Sequence, residues 1–168
     1  MGEAYKLTED GEIMVNNTST FVPHPKGTYK AIAAYVTAPL IMKFGPVVKI
    51  IWITDAKMED GRNFSIVSEP FGIKTAPGTK LGNLVRKLMG DKFPKADEWP
   101  LRKTVVGVLR AEIDVIHKKD GDKVYSNIVN YEPSANDLKI PEDYTPPEWA
   151  VKGGERDTPT ESADALPF

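Results

Sequence analysis

Cysteine is absent from all 168 residues of the chain, which excludes disulfide bonds and thiolate metal sites. Long apolar runs are absent as well. The most hydrophobic stretch, residues 47–53, is far shorter than the roughly 20 residues that a membrane-spanning helix needs. The first residues show no apolar run with a basic flank, so the sequence indicates no signal peptide. We therefore expect a soluble cytoplasmic protein with no membrane partner.

Catalytic and cofactor-binding motifs are also missing. The sequence contains no GxxxxGK[ST], GxGxxG, HExxH or GxSxG segment. His24 and His117 have no partner at the spacing of a metal site or a catalytic triad. The acidic cluster of Asp55, Glu59 and Asp60 surrounds a turn, and we interpret it as solvated rather than metal-binding. The sequence therefore predicts a protein that is not an enzyme and that needs no metal or cofactor.

Charge is divided unevenly along the chain. Residues 1–131 carry 19 Lys and Arg against 15 Asp and Glu, a net charge of +4. Residues 132–168 carry three basic and nine acidic side chains, a net charge of −6, and the two parts sum to the total of −2. A basic body with an acidic tail is typical of nucleic-acid binding by the body and of an interaction role for the tail.

The acidic segment, residues 132–168, is predicted to be disordered. It contains six prolines, two consecutive glycines and little apolar periodicity. Such a segment cannot bury enough apolar surface to offset the entropy lost on ordering. It closes on Leu166-Pro167-Phe168, and an exposed aromatic end with a free carboxylate indicates a partner-binding tip.

The rest of the chain predicts five strands and one helix. Segments rich in β-branched and aromatic residues predict strands at 27–37, 47–54, 62–68, 104–118 and 123–131. Between the third and fourth strands, apolar residues repeat at helical spacing, with Thr79 as N-cap and Gly90 at the C-terminal end. This order predicts a mostly β protein with an OB-fold, a five-stranded Greek-key barrel, ahead of SH3-like barrels and α+β sandwiches. The predicted organisation is an N-terminal extension, a folded domain and a disordered tail, at 1–26, 27–131 and 132–168.

The folded segment resembles phage-type single-stranded-DNA-binding proteins over about residues 27–131. Three features carry the resemblance: the strand–turn–strand from Gly27 through Phe44-Gly45-Pro46 to Trp52, the helix that closes on Gly90, and the final hairpin. The resemblance implies sequence-independent binding and protection of single strands by a phage protein that acts in the host cytoplasm.

The end of the tail resembles the C-terminal tip of bacterial single-stranded-DNA-binding proteins. In that family an acidic run closes on a hydrophobic residue, Pro and Phe, and docks on replication and repair enzymes. Asp164 is the only acid among the last six residues here, fewer than the family has. The resemblance implies recruitment of replication, recombination or repair proteins through Asp164, Leu166, Pro167 and Phe168.

Basic side chains beside aromatic ones are what non-specific single-strand binding needs. Cations follow the phosphates, and aromatic faces stack on bases of any identity. Phe44 in a turn, and Tyr125 and Tyr131 on a polar strand face, favour contact with DNA. Trp52 leans towards the core, and core packing and stacking stay equally open for Phe64. The full set of candidates is Tyr35, Lys43, Phe44, Lys49, Trp52, Arg62, Phe64, Arg110, Tyr125 and Tyr131.

Two other functions stay open at this point. The chain could be a phage structural or assembly protein whose barrel packs against other subunits, or it could be an oligosaccharide-binding OB module. Association into a homo-oligomer is compatible with each of these readings, and the sequence does not fix the number of subunits.

Overall fold

A computed structural model describes residues 5–7, 13–15 and 23–155. Its strands are β1 (Tyr5–Leu7), β2 (Ile13–Val15), β3 (Gly27–Val36), β4 (Leu40–Met42), β5 (Gly45–Val48), β6 (Ile50–Lys57), β7 (Asn63–Val67), β8 (Phe71–Gly72), β9 (Arg110–Asp120), β10 (Lys123–Pro133) and β11 (Gly154–Glu155). Its helices are α1 (Lys80–Met89), a 3-10 turn (Gly90–Lys92), α2 (Leu101–Val105) and α3 (Glu148–Lys152). Residues 156–168, with the predicted partner-binding tip, lie outside the described part of the chain.

Five strands form the main sheet in the order β10-β9-β3-β6-β7, and every neighbouring pair is antiparallel. Within it, β9 lies beside β3, followed by β6 and β7, which is the 4-1-2-3 order of a Greek key. The edge strands β10 and β7 are not hydrogen-bonded to each other, so the described residues form no closed barrel. The predicted mostly β class is confirmed, whereas the predicted barrel closure is not observed.

One face of the main sheet forms the larger hydrophobic core. Trp52 of β6 lies directly opposite Ala33 of β3 and is fully buried. The short alanine side chain leaves the space that the indole ring fills. Strand β9 alternates between the two faces of the sheet. Its inward-facing residues and the residue just before the strand are all buried: Leu109, Ala111, Ile113 and Val115.

Helix α1 covers this core and has the predicted ends. The Thr79 hydroxyl accepts a hydrogen bond from the Gly82 N–H, and Gly90 ends the helix with a positive φ of 56°. The predicted fourth strand begins later than expected. Residues 101–105 form α2, and strand pairing starts only at Arg110, because the apolar run before it packs against the core as a helix.

A second, four-stranded sheet has the order β11-β4-β5-β8. The long predicted strand at 47–54 is divided between the two sheets at Lys49, with β5 in the second sheet and β6 in the main one. The Thr37 N–H donates to the Lys49 carbonyl at 3.0 Å. This bond holds together the two points where the chain leaves and re-enters the main sheet.

The prediction that disorder begins at residue 132 is wrong for residues 132–155. Residues 134–147, the C-terminal strap, cross the opposite face of the main sheet. Leu138, Ile140 and Tyr144 of the strap pack against a smaller apolar cluster of the sheet. The Asn136 amide donates to the Ala31 carbonyl at 3.1 Å. The spacing of these apolar residues matches no helix or strand period, but each packs against an apolar surface of the sheet. The apolar area buried there offsets the conformational entropy that the segment loses when it is ordered.

The chain beyond the strap is attached to the second sheet. The Ala38 N–H donates to the Ala150 carbonyl of α3 at 2.8 Å, and β11 then pairs with β4 in parallel. At Gly153, with φ of 62°, a Cβ atom would lie 2.5 Å from the Pro39 carbonyl oxygen. Only glycine therefore permits this close approach of the two segments.

None of the helices in the described ranges is long and apolar enough to span a membrane.

Candidate nucleic-acid interface

The hairpin between β4 and β5 presents an exposed aromatic ring beside a cation. Phe44 lies in its two-residue turn and is 94% exposed. The Lys43 ammonium lies 5.7 Å from the centre of the Phe44 ring. Ile41 and Met42 are also exposed, at 46% and 38%. We call residues 41–45 the hairpin tip.

Phe44 contributes almost no buried area to the fold, so the hairpin tip gains nothing in stability from its aromatic ring. A free ring face can stack on a base, and a lysine beside it can approach the adjacent phosphate. The structure brings both sequence candidates at this position, Lys43 and Phe44, together at an exposed turn.

The turn between β9 and β10 carries a second group of candidate contacts. Tyr125 lies directly opposite Lys118 on the paired strands and is half-buried. The side chains of Lys118, Lys119 and Lys123 are exposed, with Asp120 among them. This region provides cations and one accessible ring.

Trp52 and Phe64 do not belong to a binding surface. Trp52 is fully buried, and Phe64 is buried with its ring centre 5.3 Å from that of His24. Both side chains point to the core face of the main sheet, so neither ring is available to a base. The open alternative for Phe64 is thereby decided in favour of packing.

Tyr131 also faces the core, which corrects the prediction of a polar strand face. A bulge in β10 between Ile128 and Asn130 shifts the alternation, so Tyr131 pairs with Ile113 on the core side. Its ring centre lies 5.7 Å from that of Trp52, and its hydroxyl donates to Glu69 at 2.8 Å. Burial, followed by the Glu69 carboxylate, raises the pKa of Tyr131 above its usual value.

Three other candidates are engaged within the fold. The Arg110 guanidinium donates to the Asn136 side chain at 3.1 Å and to the Leu138 carbonyl, so it holds the C-terminal strap. Arg62 is exposed and forms an ion pair with Asp60 at 2.7 Å. The Lys49 ammonium lies 6.0 Å from the Trp149 ring of α3.

Tyr35 is half-buried beneath the guanidinium of Arg102, which is not among the candidates predicted from the sequence. The Arg102 guanidinium lies 4.7 Å from the Tyr35 ring centre and donates two hydrogen bonds to the Val36 carbonyl. A single arginine in a connecting segment carries no periodic signal. Only the packing of α2 against β3 shows that it is paired with this ring.

The two histidines fasten residues 23–26 to the main sheet. His24 is buried, its Nδ1 lies 2.8 Å from the Pro25 carbonyl, and its Nε2 lies 2.6 Å from the Thr54 hydroxyl. A carbonyl only accepts, so Nδ1 carries the proton and Nε2 accepts from Thr54. His117 Nε2 donates to the His24 carbonyl at 2.7 Å. This cluster is structural, and it places the end of the predicted N-terminal extension in the fold.

Stability is expected to fall as the pH drops below about 6.5. Burial lowers the pKa of His24, an effect that the Pro25 hydrogen bond opposes and the charge of His117 reinforces. The unfolded chain therefore takes up this proton at higher pH than the folded protein, so acid favours unfolding. Urea unfolding midpoints at pH 7.5 and 5.5 measure the effect. His24→Gln should reduce the difference between the two midpoints, and an unchanged difference would contradict the assignment.

In the described ranges, no group of three or more His, Asp or Glu side chains is placed to hold a metal ion.

Comparison with known proteins assigns no family: no family model matches the chain, and no curated protein matches it significantly in sequence. The candidate site therefore stands on the geometry of the chain itself.

Proposed function

We propose that the chain binds single-stranded DNA without sequence preference and protects it. The observation that carries this proposal is the hairpin tip, where Phe44 is almost fully exposed beside the Lys43 ammonium. Exposed stacking rings next to cations are the recognition elements for single strands of any sequence. The test is whether the chain binds oligo-dT in preference to a duplex of the same length.

The strand arrangement supports an OB-type fold as the framework for this function. The Greek-key order of β9-β3-β6-β7 and the helix between the third strand, β7, and the fourth, β9, are features of that fold. In an OB-fold the ligand is held by the loop between the first two strands and the loop between the last two. The hairpin tip lies in the first of these loops, and the turn with Lys118 and Tyr125 lies at the second.

The hairpin tip also supports an alternative function, which is assembly with other subunits in a phage particle or complex. Ile41, Met42 and Phe44 form three neighbouring exposed apolar side chains, which is typical of a protein interface. This alternative predicts large assemblies without DNA. Light scattering of the isolated protein separates the two functions, since an assembly protein should associate whether or not oligo-dT is present.

We further propose that residues 156–168 recruit replication, recombination or repair proteins through the terminal Leu166-Pro167-Phe168. Deleting Phe168 alone is expected to abolish capture of such enzymes and to leave oligo-dT affinity unchanged. The reason is that the aromatic end makes the docking contact while the acids lie upstream. A pull-down with purified replication enzymes, run beside an oligo-dT titration, measures both effects. Equal capture by the full-length chain and by the chain without Phe168 would mean that the tail is only a solubilising extension.

A further inference from the structure

The His24 ring joins three strands of the main sheet from its core face. The ring is buried, and its centre lies 4.7 Å from that of Tyr29 in β3 and 5.3 Å from that of Phe64 in β7. Its Nε2 accepts a hydrogen bond from the Thr54 hydroxyl of β6 at 2.6 Å. Packing and a buried hydrogen bond therefore fix the position of this residue against the sheet.

The His24 carbonyl holds the other two strands of the same sheet. It accepts a hydrogen bond from His117 Nε2 of β9 at 2.7 Å and another from the Ser126 hydroxyl of β10 at 2.9 Å. His117 and Ser126 are cross-strand partners, so their side chains lie on one face of the hairpin. A single residue thus connects all five strands of the main sheet. We call residues 23–26 the clasp.

The clasp contacts a part of the β9–β10 hairpin that extends beyond β3. Strand β3 pairs with β9 only from Gly27 onwards, opposite Val115. Residues 116–127, the arm, therefore continue past the start of β3 as a two-stranded hairpin. A two-stranded hairpin on its own is marginally stable in water. The two hydrogen bonds to the clasp therefore fix the orientation of the arm relative to the rest of the sheet.

The opposite face of the arm carries groups suited to a nucleic acid. Successive side chains of a strand point to opposite faces, so Lys118 and Tyr125, the neighbours of His117 and Ser126 in sequence, face away from the clasp. Lys118 and Tyr125 are also cross-strand partners. Lys118 is exposed, Tyr125 is half-buried, and the exposed Lys123 adds a further cation. A ring beside cations can stack on a base while the cations approach the phosphates.

We propose that His24, His117 and Ser126 are positioning residues, which hold the arm in the orientation that binds a single strand without touching the strand themselves. The inference rests on the proposed function and deepens it. Because the clasp orders the arm before the strand arrives, the cost of ordering it is not taken from the binding free energy. Lys118 and Tyr125 then form a second, preformed contact in addition to the hairpin tip.

Ser126→Ala removes one of the two donors to the His24 carbonyl. It should lower oligo-dT affinity by about two- to tenfold, because the binding orientation of the arm is then less populated. His117→Ala should have a similar effect, whereas His117→Gln keeps an N–H donor and should retain affinity. The matched control is Thr28→Val, which removes a hydroxyl that donates to Asp114 at 2.7 Å in the body of the sheet. This control should leave the affinity unchanged in anisotropy titrations of labelled oligo-dT.

Two further measurements separate positioning from a general loss of stability. In free Ser126→Ala, the backbone amides of residues 116–127 should exchange with deuterium faster than in the wild type, while those of β6 keep their rate. In a double-mutant cycle, Tyr125→Ala should lower affinity by a smaller factor in the Ser126→Ala background than in the wild type. The reason is that a ring on a loosely held arm contributes less to binding.

Unaltered oligo-dT affinity of Ser126→Ala and His117→Ala would overturn the positioning role and leave the proposed function intact. Additive effects of Ser126→Ala and Tyr125→Ala, or unchanged amide exchange in the arm, would overturn it as well. Failure of the wild-type chain to bind oligo-dT at all would instead overturn the proposed function, and the positioning role with it.

Discussion

Trp52→Ala is expected to lower the free energy of unfolding by about 3–5 kcal/mol, as for other core aromatics. The indole is fully buried in the centre of the larger core, opposite Ala33 and in ring contact with Tyr131. Its removal leaves a cavity that the packed helix α1 and the hydrogen-bonded strands cannot fill by small shifts. Urea denaturation monitored by circular dichroism measures the change.

The control for Trp52→Ala is an aromatic side chain that is almost fully exposed. Phe44→Ala removes such a ring and should change the free energy of unfolding by less than about 0.5 kcal/mol. A loss of less than about 1 kcal/mol for Trp52→Ala, together with reduced DNA affinity, would contradict the burial of this residue.

Phe44→Ala is expected to weaken oligo-dT binding by about 1–3 kcal/mol, or about 5- to 150-fold in dissociation constant. The ring is 94% exposed, so the lost energy is that of a stacked base and not of folding. Fluorescence anisotropy of a labelled oligo-dT measures the affinity, and the melting temperature should stay unchanged.

Two variants make the result for Phe44 specific. Phe44→Tyr keeps an aromatic face and should retain affinity, whereas Val129→Ala removes an exposed apolar side chain elsewhere and should have no effect. Unaltered oligo-dT affinity of Phe44→Ala would assign the hairpin tip to protein contacts instead.

Local patterns in the sequence predict much of this fold. Helix α1 has both its N-cap Thr79 and its closing Gly90 in sequence, and the alternation at 109–115 identifies a buried face. These features depend on residues within one element, so they are legible without knowing what packs against them. The exposure of Phe44 is predicted in the same way, because a phenylalanine in a turn has no core to pack into.

Features that depend on distant contacts were not predictable. The bulge at Val129 turns the Tyr131 side chain to the core face of the sheet, and no residue type in β10 predicts this bulge. The strap is stabilised by Leu138, Ile140 and Tyr144 against a surface made by other strands. Its irregular spacing therefore resembled that of a disordered chain.

The central claim is single-strand binding, and anisotropy titration of labelled oligo-dT over a salt series tests it most directly. The full chain is titrated against oligo-dT and against a duplex of equal length. We expect tighter binding of the single strand, and a linear fall of log affinity with log salt at a slope of about −0.7 per phosphate contacted. Equal affinity for the two DNA forms, or no binding of oligo-dT at low salt, would contradict the claim.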